Sequence, residues 1–136
     1  MRYRRLSYRY AMMLRSGGAW SGEIWESDRL RLLVEPVWRP DADTYETATA
    51  IEIVVDLAGV DDEDVEVQLF EDALVVAGRR PVPAAHEGAV FQLAGIRRGP
   101  FRVELSLSAP VDADRVDVHY DRGLLRITLP KRGADR

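Results

Sequence analysis

Cysteine is absent from all 136 residues, so neither a disulfide framework nor a thiolate metal site or thiol nucleophile can be built. Asparagine is absent as well, and Lys131 is the only lysine. No apolar run reaches the roughly 20 residues that a membrane span requires. The stretch Tyr10-Ala11-Met12-Met13-Leu14 also falls short of a signal-peptide core of about 7 to 15 residues. A cytoplasmic, non-membrane protein is the expectation. The chain has two histidines. His86 sits in a Pro/Ala/Gly stretch and His119 on the polar side of a strand pattern, neither with a partner at ligand or triad spacing. Ser106 and Ser108 lack a G-X-S-X-G elbow, and Gly17-Gly18 is not followed by the Lys and Ser/Thr of a phosphate-cradling loop. The sequence therefore predicts no enzyme, no cofactor and no metal site.

What the chain does contain is unevenly distributed charge. Its net charge of −4 combines 19 basic with 23 acidic side chains. Arg2, Arg4, Arg5, Arg9 and Arg15 precede the first acid, Glu23, which leaves 14 basic against 23 acidic groups, or −9, in the rest. The head is basic and the body acidic. Arginines interleaved with Tyr3, Tyr8 and Tyr10 can pair with phosphates and stack on bases. Five charges are few for that task and the acidic body opposes it, so nucleic acid is not the expected partner. The acidic run Asp61-Asp62-Glu63-Asp64 lacks the spacing and distal glutamate of a calcium loop and reads as a solvated turn.

Hydrophobic spacing divides the chain at about residue 35. Leu6, Tyr10, Met13 and Leu14 form one stripe of a short helix within residues 1–16, ended by Gly17-Gly18. Trp20, Ile24, Trp25, Leu30, Leu32, Leu33, Val34 and Trp38 follow, including every tryptophan of the protein. These residues either pack on their own domain or form an adaptable, adhesive surface. From Pro40 the period becomes two. Strands are expected around Tyr45, over Ala50 to Leu57, over Val65 to Leu69 and Leu74 to Gly78 as a hairpin, and over Phe101 to Leu107. A closing hairpin pairs Val116, Val118 and Tyr120 with Leu125, Ile127 and Leu129 across Asp121-Arg122-Gly123. Pro81 to Gly88 is a loop, and Val90-Phe91-Gln92-Leu93 is a candidate small strand. About seven to nine strands without an intervening helical period predict an all-β, immunoglobulin-like antiparallel sandwich.

The motif Val118-X-X-X-Arg122-Gly123-X-Leu125, followed by Ile127-X-Leu129-Pro130-Lys131, resembles the signature that closes the α-crystallin domain of small heat-shock proteins, bacterial type. Trp38-Arg39-Pro40-X-X-Asp43-X-Tyr45-Glu46-Thr47, Asp56-Leu57-Ala58-Gly59-Val60, Leu74-X-X-X-Gly78-Arg79-Arg80, Gly99-Pro100-Phe101-Arg102 and Val111-Asp112 resemble further family motifs in the family's order. The resemblance implies an N-terminal arm over residues 1–35, an α-crystallin domain over 36–131 and a short tail over 132–136. It further implies an apolar groove between Val65, Val67 and Leu69 on one strand and Val116, Val118 and Tyr120 on another. In the family an Ile-X-Ile tail docks there, and Arg132 to Arg136 contain none, so the groove is expected to be left open to a client, to the chain's own Leu32-Leu33-Val34 run or to a partner. The resemblance places the dimer interface at Tyr45, Val90, Phe91, Leu93 and Arg102.

The expected function is that of an ATP-independent holdase for partly unfolded proteins. Leu14, Trp20, Ile24, Trp25, Leu32, Leu33, Val34 and Trp38 are its expected client-binding residues, since aromatic and flexible apolar side chains suit promiscuous contact. A homodimer is the expected basic unit, with larger homo-oligomers built through the arm. The alternative is a dedicated adaptor that uses the same fold to bind one fixed protein partner.

Overall fold

Ile51, Ile53, Val55 and Leu57 alternate with polar or half-buried neighbours, and all four are buried. Strict alternation of this kind commits one face of a strand to a core. The computed structural model describes residues 2–5, 37–84 and 87–133. Their strands are β1 (Arg2–Arg5), β2 (Ala42–Glu46), β3 (Ala50–Asp56), β4 (Val65–Leu69), β5 (Ala73–Arg80), β6 (Gly99–Ser106), β7 (Asp117–Asp121) and β8 (Leu124–Pro130). Two four-stranded sheets result, one in the order β1-β4-β5-β6 and the other β2-β3-β8-β7. The fold is the all-β sandwich that the spacing predicts, with seven strands in the β2 to β8 region.

The sheets meet through one continuous core. Ile51, Ile53 and Val55 of β3 stand opposite Leu129, Ile127 and Leu125 of β8. Val65, Val67 and Leu69 of β4, Leu74 and Val76 of β5, and Phe101, Val103 and Leu105 of β6 supply the other layer of the same cluster. Among the described residues no polar or charged residue is fully buried, so apolar complementarity rather than a polar network sets the packing.

The edges are handled differently. Trp38 bridges in parallel to Phe101; its N–H donates to the Pro100 carbonyl at 3.2 Å and its carbonyl accepts from the Arg102 N–H at 3.0 Å. The outer side of β6 is thus partly covered, and Pro100 is tolerated there because an edge strand need not offer every N–H. β4 is covered by β1, the only parallel strand pair among the described residues. β2 ends its sheet, and Asp43 to Glu46 on it are exposed.

Several local expectations differ from what the chain adopts. Residues 2–5 are a strand rather than the start of a helix, because edge pairing with β4 satisfies backbone groups that so short a helix would leave open. The helical stripe from Leu6 to Leu14 lies outside the described residues. Val90 to Leu93 form no strand, as an isolated segment has no ladder to join. β5 runs past Gly78 to Arg80, and β6 stops at Ser106, one residue before Leu107. Asp62–Asp64 form a 3-10 turn of exposed residues leading into β4.

Candidate functional site

The flank where β7 approaches the start of β4 is organised by Tyr120. Its hydroxyl lies 2.7 Å from the Leu57 carbonyl and 2.7 Å from the Val60 carbonyl, so it ties the end of β7 to the turn that precedes β4. Burial raises the pKa of this phenol; Asp61, Asp62 and Asp56 add to the shift, and Arg80 opposes it. Val116, Val118 and Tyr120 pack half-buried against the core, whereas Val65, Val67 and Leu69 are fully buried within it. The two predicted walls are therefore unequal. The β7 residues retain exposed surface; the β4 residues are spent on the core, and the backbone edge of β4, expected to be open, is covered by β1.

Because the raised pKa means that the fold disfavours the phenolate, Tyr120 contributes stability that is present below the ordinary value of 10.0 and is lost as pH rises through the folded pKa. A spectrophotometric titration should show a late tyrosine phase above the ordinary value of 10.0. Tyr120→Phe should remove that late phase and lower stability by about 1 to 2 kcal/mol. A late phase that survives the substitution would reassign it.

A second constellation joins Trp38, Arg80 and the base of the loop between β5 and β6. The Arg80 guanidinium lies 4.4 Å from the Trp38 ring centroid. Its Nε donates to the Ala58 carbonyl at 3.0 Å and its Nη1 to the Arg97 carbonyl at 2.8 Å. Trp38 Nε1 donates to the Gly99 carbonyl at 3.2 Å, and the ring meets Phe101 at a centroid distance of 5.4 Å. Trp38, expected among the client-binding residues, is instead engaged by its own domain. Arg80 holds three separate segments together. The sequence shows it only as the last residue of a motif; its role depends on contacts distant in the chain.

From this anchored base the loop projects apolar side chains into solvent. Val82, Val90, Phe91, Leu93 and Ile96 are 61% to 86% exposed. Tyr45, on edge strand β2, is also exposed. Of the expected interface residues, Tyr45, Val90, Phe91 and Leu93 are thus accessible. Arg102 lies on β6 with its Nη1 4.0 Å from Glu104. Sequence reasoning missed Val82 and Ile96, whose signal was an apolar residue recurring in an otherwise turn-forming stretch.

Next to Tyr45, Glu46 accepts from Lys131 Nζ at 2.5 Å and from the Ser108 hydroxyl. Lys131 also donates to the Thr47 carbonyl at 2.8 Å. These hydrogen bonds, Lys131 first, lower the Glu46 pKa. The single lysine therefore fastens the end of β2 to the end of β8. Leu14, Trp20, Ile24, Trp25, Leu32, Leu33 and Val34 lie outside the described residues.

No group of three or more His, Asp or Glu side chains among the described residues could hold a metal ion. His119 is exposed on β7. A family model described as the Hsp20/alpha crystallin family matches residues 43–136. The chain belongs to the Hsp20/alpha crystallin family. Small heat-shock proteins of this family are chaperones rather than enzymes, and they form oligomers and bind unfolded clients. One relative, a probable 15 kDa heat shock protein of Leptospira interrogans, is 30% identical over 112 residues, covering 82% of this chain and 81% of that one. Heat shock protein 16.0 of Schizosaccharomyces pombe has a similar structure, with a TM-score of 0.66 at 30% identity over 72% of this chain and 91% of that one. A small heat-shock protein of Xylella fastidiosa, described as having a distinct high order structure, matches with a TM-score of 0.63 at 30% identity, over 73% and 91% of the two chains. Among the described residues of this small heat-shock protein, no helix is long and apolar enough to cross a membrane.

Proposed function

We propose that this protein is an ATP-independent holdase whose basic unit is a homodimer and which keeps partly unfolded proteins from aggregating. The observation that carries the proposal is the set of exposed apolar residues on one anchored loop, Val82, Val90, Phe91, Leu93 and Ile96, in a member of a chaperone family. Removing such area from water is favourable by about 25 cal/mol per Å². Edge strand β2 is a fitting receiver, because its exposed residues Thr44 to Glu46 stand at an open sheet edge. A loop that crosses to β2 of a second subunit satisfies two exposed edges at once.

Client contact is assigned to the arm's apolar residues Leu14, Trp20, Ile24, Trp25, Leu32, Leu33 and Val34, together with the accessible parts of Val116, Val118 and Tyr120. Trp38 is left out because its ring is already engaged. The acidic body keeps a loaded complex soluble. Heating an aggregation-prone client should give less light scattering in the presence of the protein, without ATP. Phe91→Asp with Leu93→Asp should reduce the native mass to that of a monomer. Absence of suppression at equal mass ratio overturns the holdase reading, and an unchanged native mass overturns the loop interface.

A further inference from the structure

Strand alternation fixes which face of the β1-β4-β5-β6 sheet each residue serves. Leu74 and Val76 of β5 belong to the core between the sheets, so Ala73 and Val75 point away from it. Val75 stands between Gln68 of β4 and Glu104 of β6, and residues directly opposite one another share a face. Val75 and Ala73 are each 1% exposed and Phe70 is 2% exposed, yet none of the three belongs to the core cluster. Val54 supplies the comparison. It too faces outward from a strand with neighbours on both sides, between Asp43 of β2 and Arg126 of β8, and it is only half-buried. Flanking strands alone leave a valine in this position partly open, so a further segment covers Val75.

The described connections do not supply that cover. Residues 81–84 and 87–97 are exposed throughout, and Leu107 and Ala109 pack against the inter-sheet core. Connectivity points to residues 6–36. β1 ends at Arg5, level with Leu69, on one edge of the sheet. Trp38 joins the sheet again beyond the opposite edge strand, in a parallel bridge to Phe101 of β6. Because β4 and β6 are both antiparallel to β5, β1 and Trp38 run in the same direction. A chain that leaves a sheet and rejoins it in the same direction returns across one of its faces. The inner face is filled by the second sheet, which leaves the outer one. The crossing measures about 20 Å across the strands and about 13 Å along them. Residues 6–36 span roughly 45 Å even at the 1.5 Å rise of a helix, so their length is ample.

We propose that the outer face of β4, β5 and β6, centred on Val75, is a docking surface for residues 6–36 of the same chain. The two ends give the direction of the crossing. The start of the segment lies toward Leu69 and Phe70, its end toward Pro100, and its middle, with Trp20, Ile24 and Trp25, over Val75. The chemistry of the two sides agrees. Phe70, Ala73 and Val75 form an apolar centre, Gln68 and Glu104 form a polar rim, and the segment brings large apolar side chains to meet them, which is the anatomy of a protein interface. This seat follows from burial and connectivity, and it holds independently of the holdase reading.

The cysteine-free sequence allows two measurements on the full-length chain. In the first, Val75→Cys and Val54→Cys are each treated with a charged maleimide. Val75→Cys should react at least about tenfold more slowly, because burial suppresses thiol reactivity; equal rates overturn the cover. If Val75→Cys lowers the melting midpoint, Ala73→Cys takes its place. In the second, Glu104→Cys, exposed beside Val75 on the same face, carries a benzophenone maleimide and is irradiated in a mixture of light and heavy isotope-labelled chains. Mass spectrometry of the digest should find the probe attached within residues 6–36, chiefly near Trp20 to Trp25, of a chain with the same label. The same probe on Arg126→Cys, exposed beside Val54 on the other sheet, should give no such product above background. Attachment elsewhere in the chain, or none at all, overturns the proposed occupant. Products that join a light chain to a heavy one assign the cover to a second copy and overturn the same-chain seat.

Discussion

Replacing Gly78 by alanine is expected to be the most damaging single-methyl change in the domain. A Cβ at this position would lie 2.0 Å from the Asp64 carbonyl oxygen and 2.8 Å from Cζ of Phe101. Gly78 sits inside β5, opposite Val65 on one side and Phe101 on the other. The obstructing oxygen is backbone, at the residue that enters β4, and cannot rotate away as a side chain does. Either β4 must shift, taking Val65 and Val67 out of register with the core, or β5 must move from Phe101. Overpacking a core typically costs about 1–3 kcal/mol and occasionally more; a backbone clash belongs at the top of that range. At about 4–8 °C per kcal/mol for a domain of this size, thermal unfolding should show a midpoint lowered by about 12 °C or more. A midpoint within a few degrees of the parent would mean that the close approach of β5 to Asp64 has been misread.

Gly123→Val should come next. β7 ends at Asp121 and β8 begins at Leu124, so Arg122 and Gly123 alone make the turn. Their φ angles are 54° and 83°, the left-handed pair that a two-residue hairpin needs to match strand twist. A valine there meets a conformation its branched Cβ disfavours, at about 1–3 kcal/mol. Its Cβ would also lie 2.8 Å from the Ala58 Cα. The same turn donates structure elsewhere: the Gly123 carbonyl accepts from the Leu57 N–H at 2.7 Å. A shifted turn would therefore disturb Leu57 and Val60, the two carbonyls that Tyr120 holds. The expected result is a large fall in the melting midpoint, with Gly123→Ala intermediate between parent and valine variant. If valine and parent melt together, the hairpin register does not depend on this glycine.

The unequal visibility of these two glycines shows where sequence reasoning reaches. Gly123 was legible because the strain is local: two alternating runs separated by a short polar turn leave few backbone solutions. The same short-range logic exposed the strands, their buried faces and the all-β class, since alternation at Ile51, Ile53 and Val55 or at Leu125, Ile127 and Leu129 already states which side chains share a face. Val90, Phe91 and Leu93 were legible only as a candidate strand that the family resemblance placed at a dimer interface; their exposure on the loop was not.

Gly78 was visible only as part of a motif, because its reason is Asp64, a residue brought to it by strand pairing. Arg80 and Lys131 are alike in this respect. Arg80 reaches Ala58, Arg97 and Trp38, and Lys131 reaches Glu46 and Thr47, partners that no spacing rule connects. The fate of Trp38 followed from the same cause: its composition suits an adhesive surface, but the backbone bridge to Phe101 turns its ring onto its own domain. The first residues were read by their own periodicity and are instead a strand, since edge pairing is decided by a partner far along the chain. Short-range periodicity and turn stereochemistry are properties of neighbouring residues, and the sequence by itself determined them. Which edges are covered, which charged groups clamp distant segments and which apolar residues remain exposed depend on contacts between remote segments, and only the tertiary structure decided those.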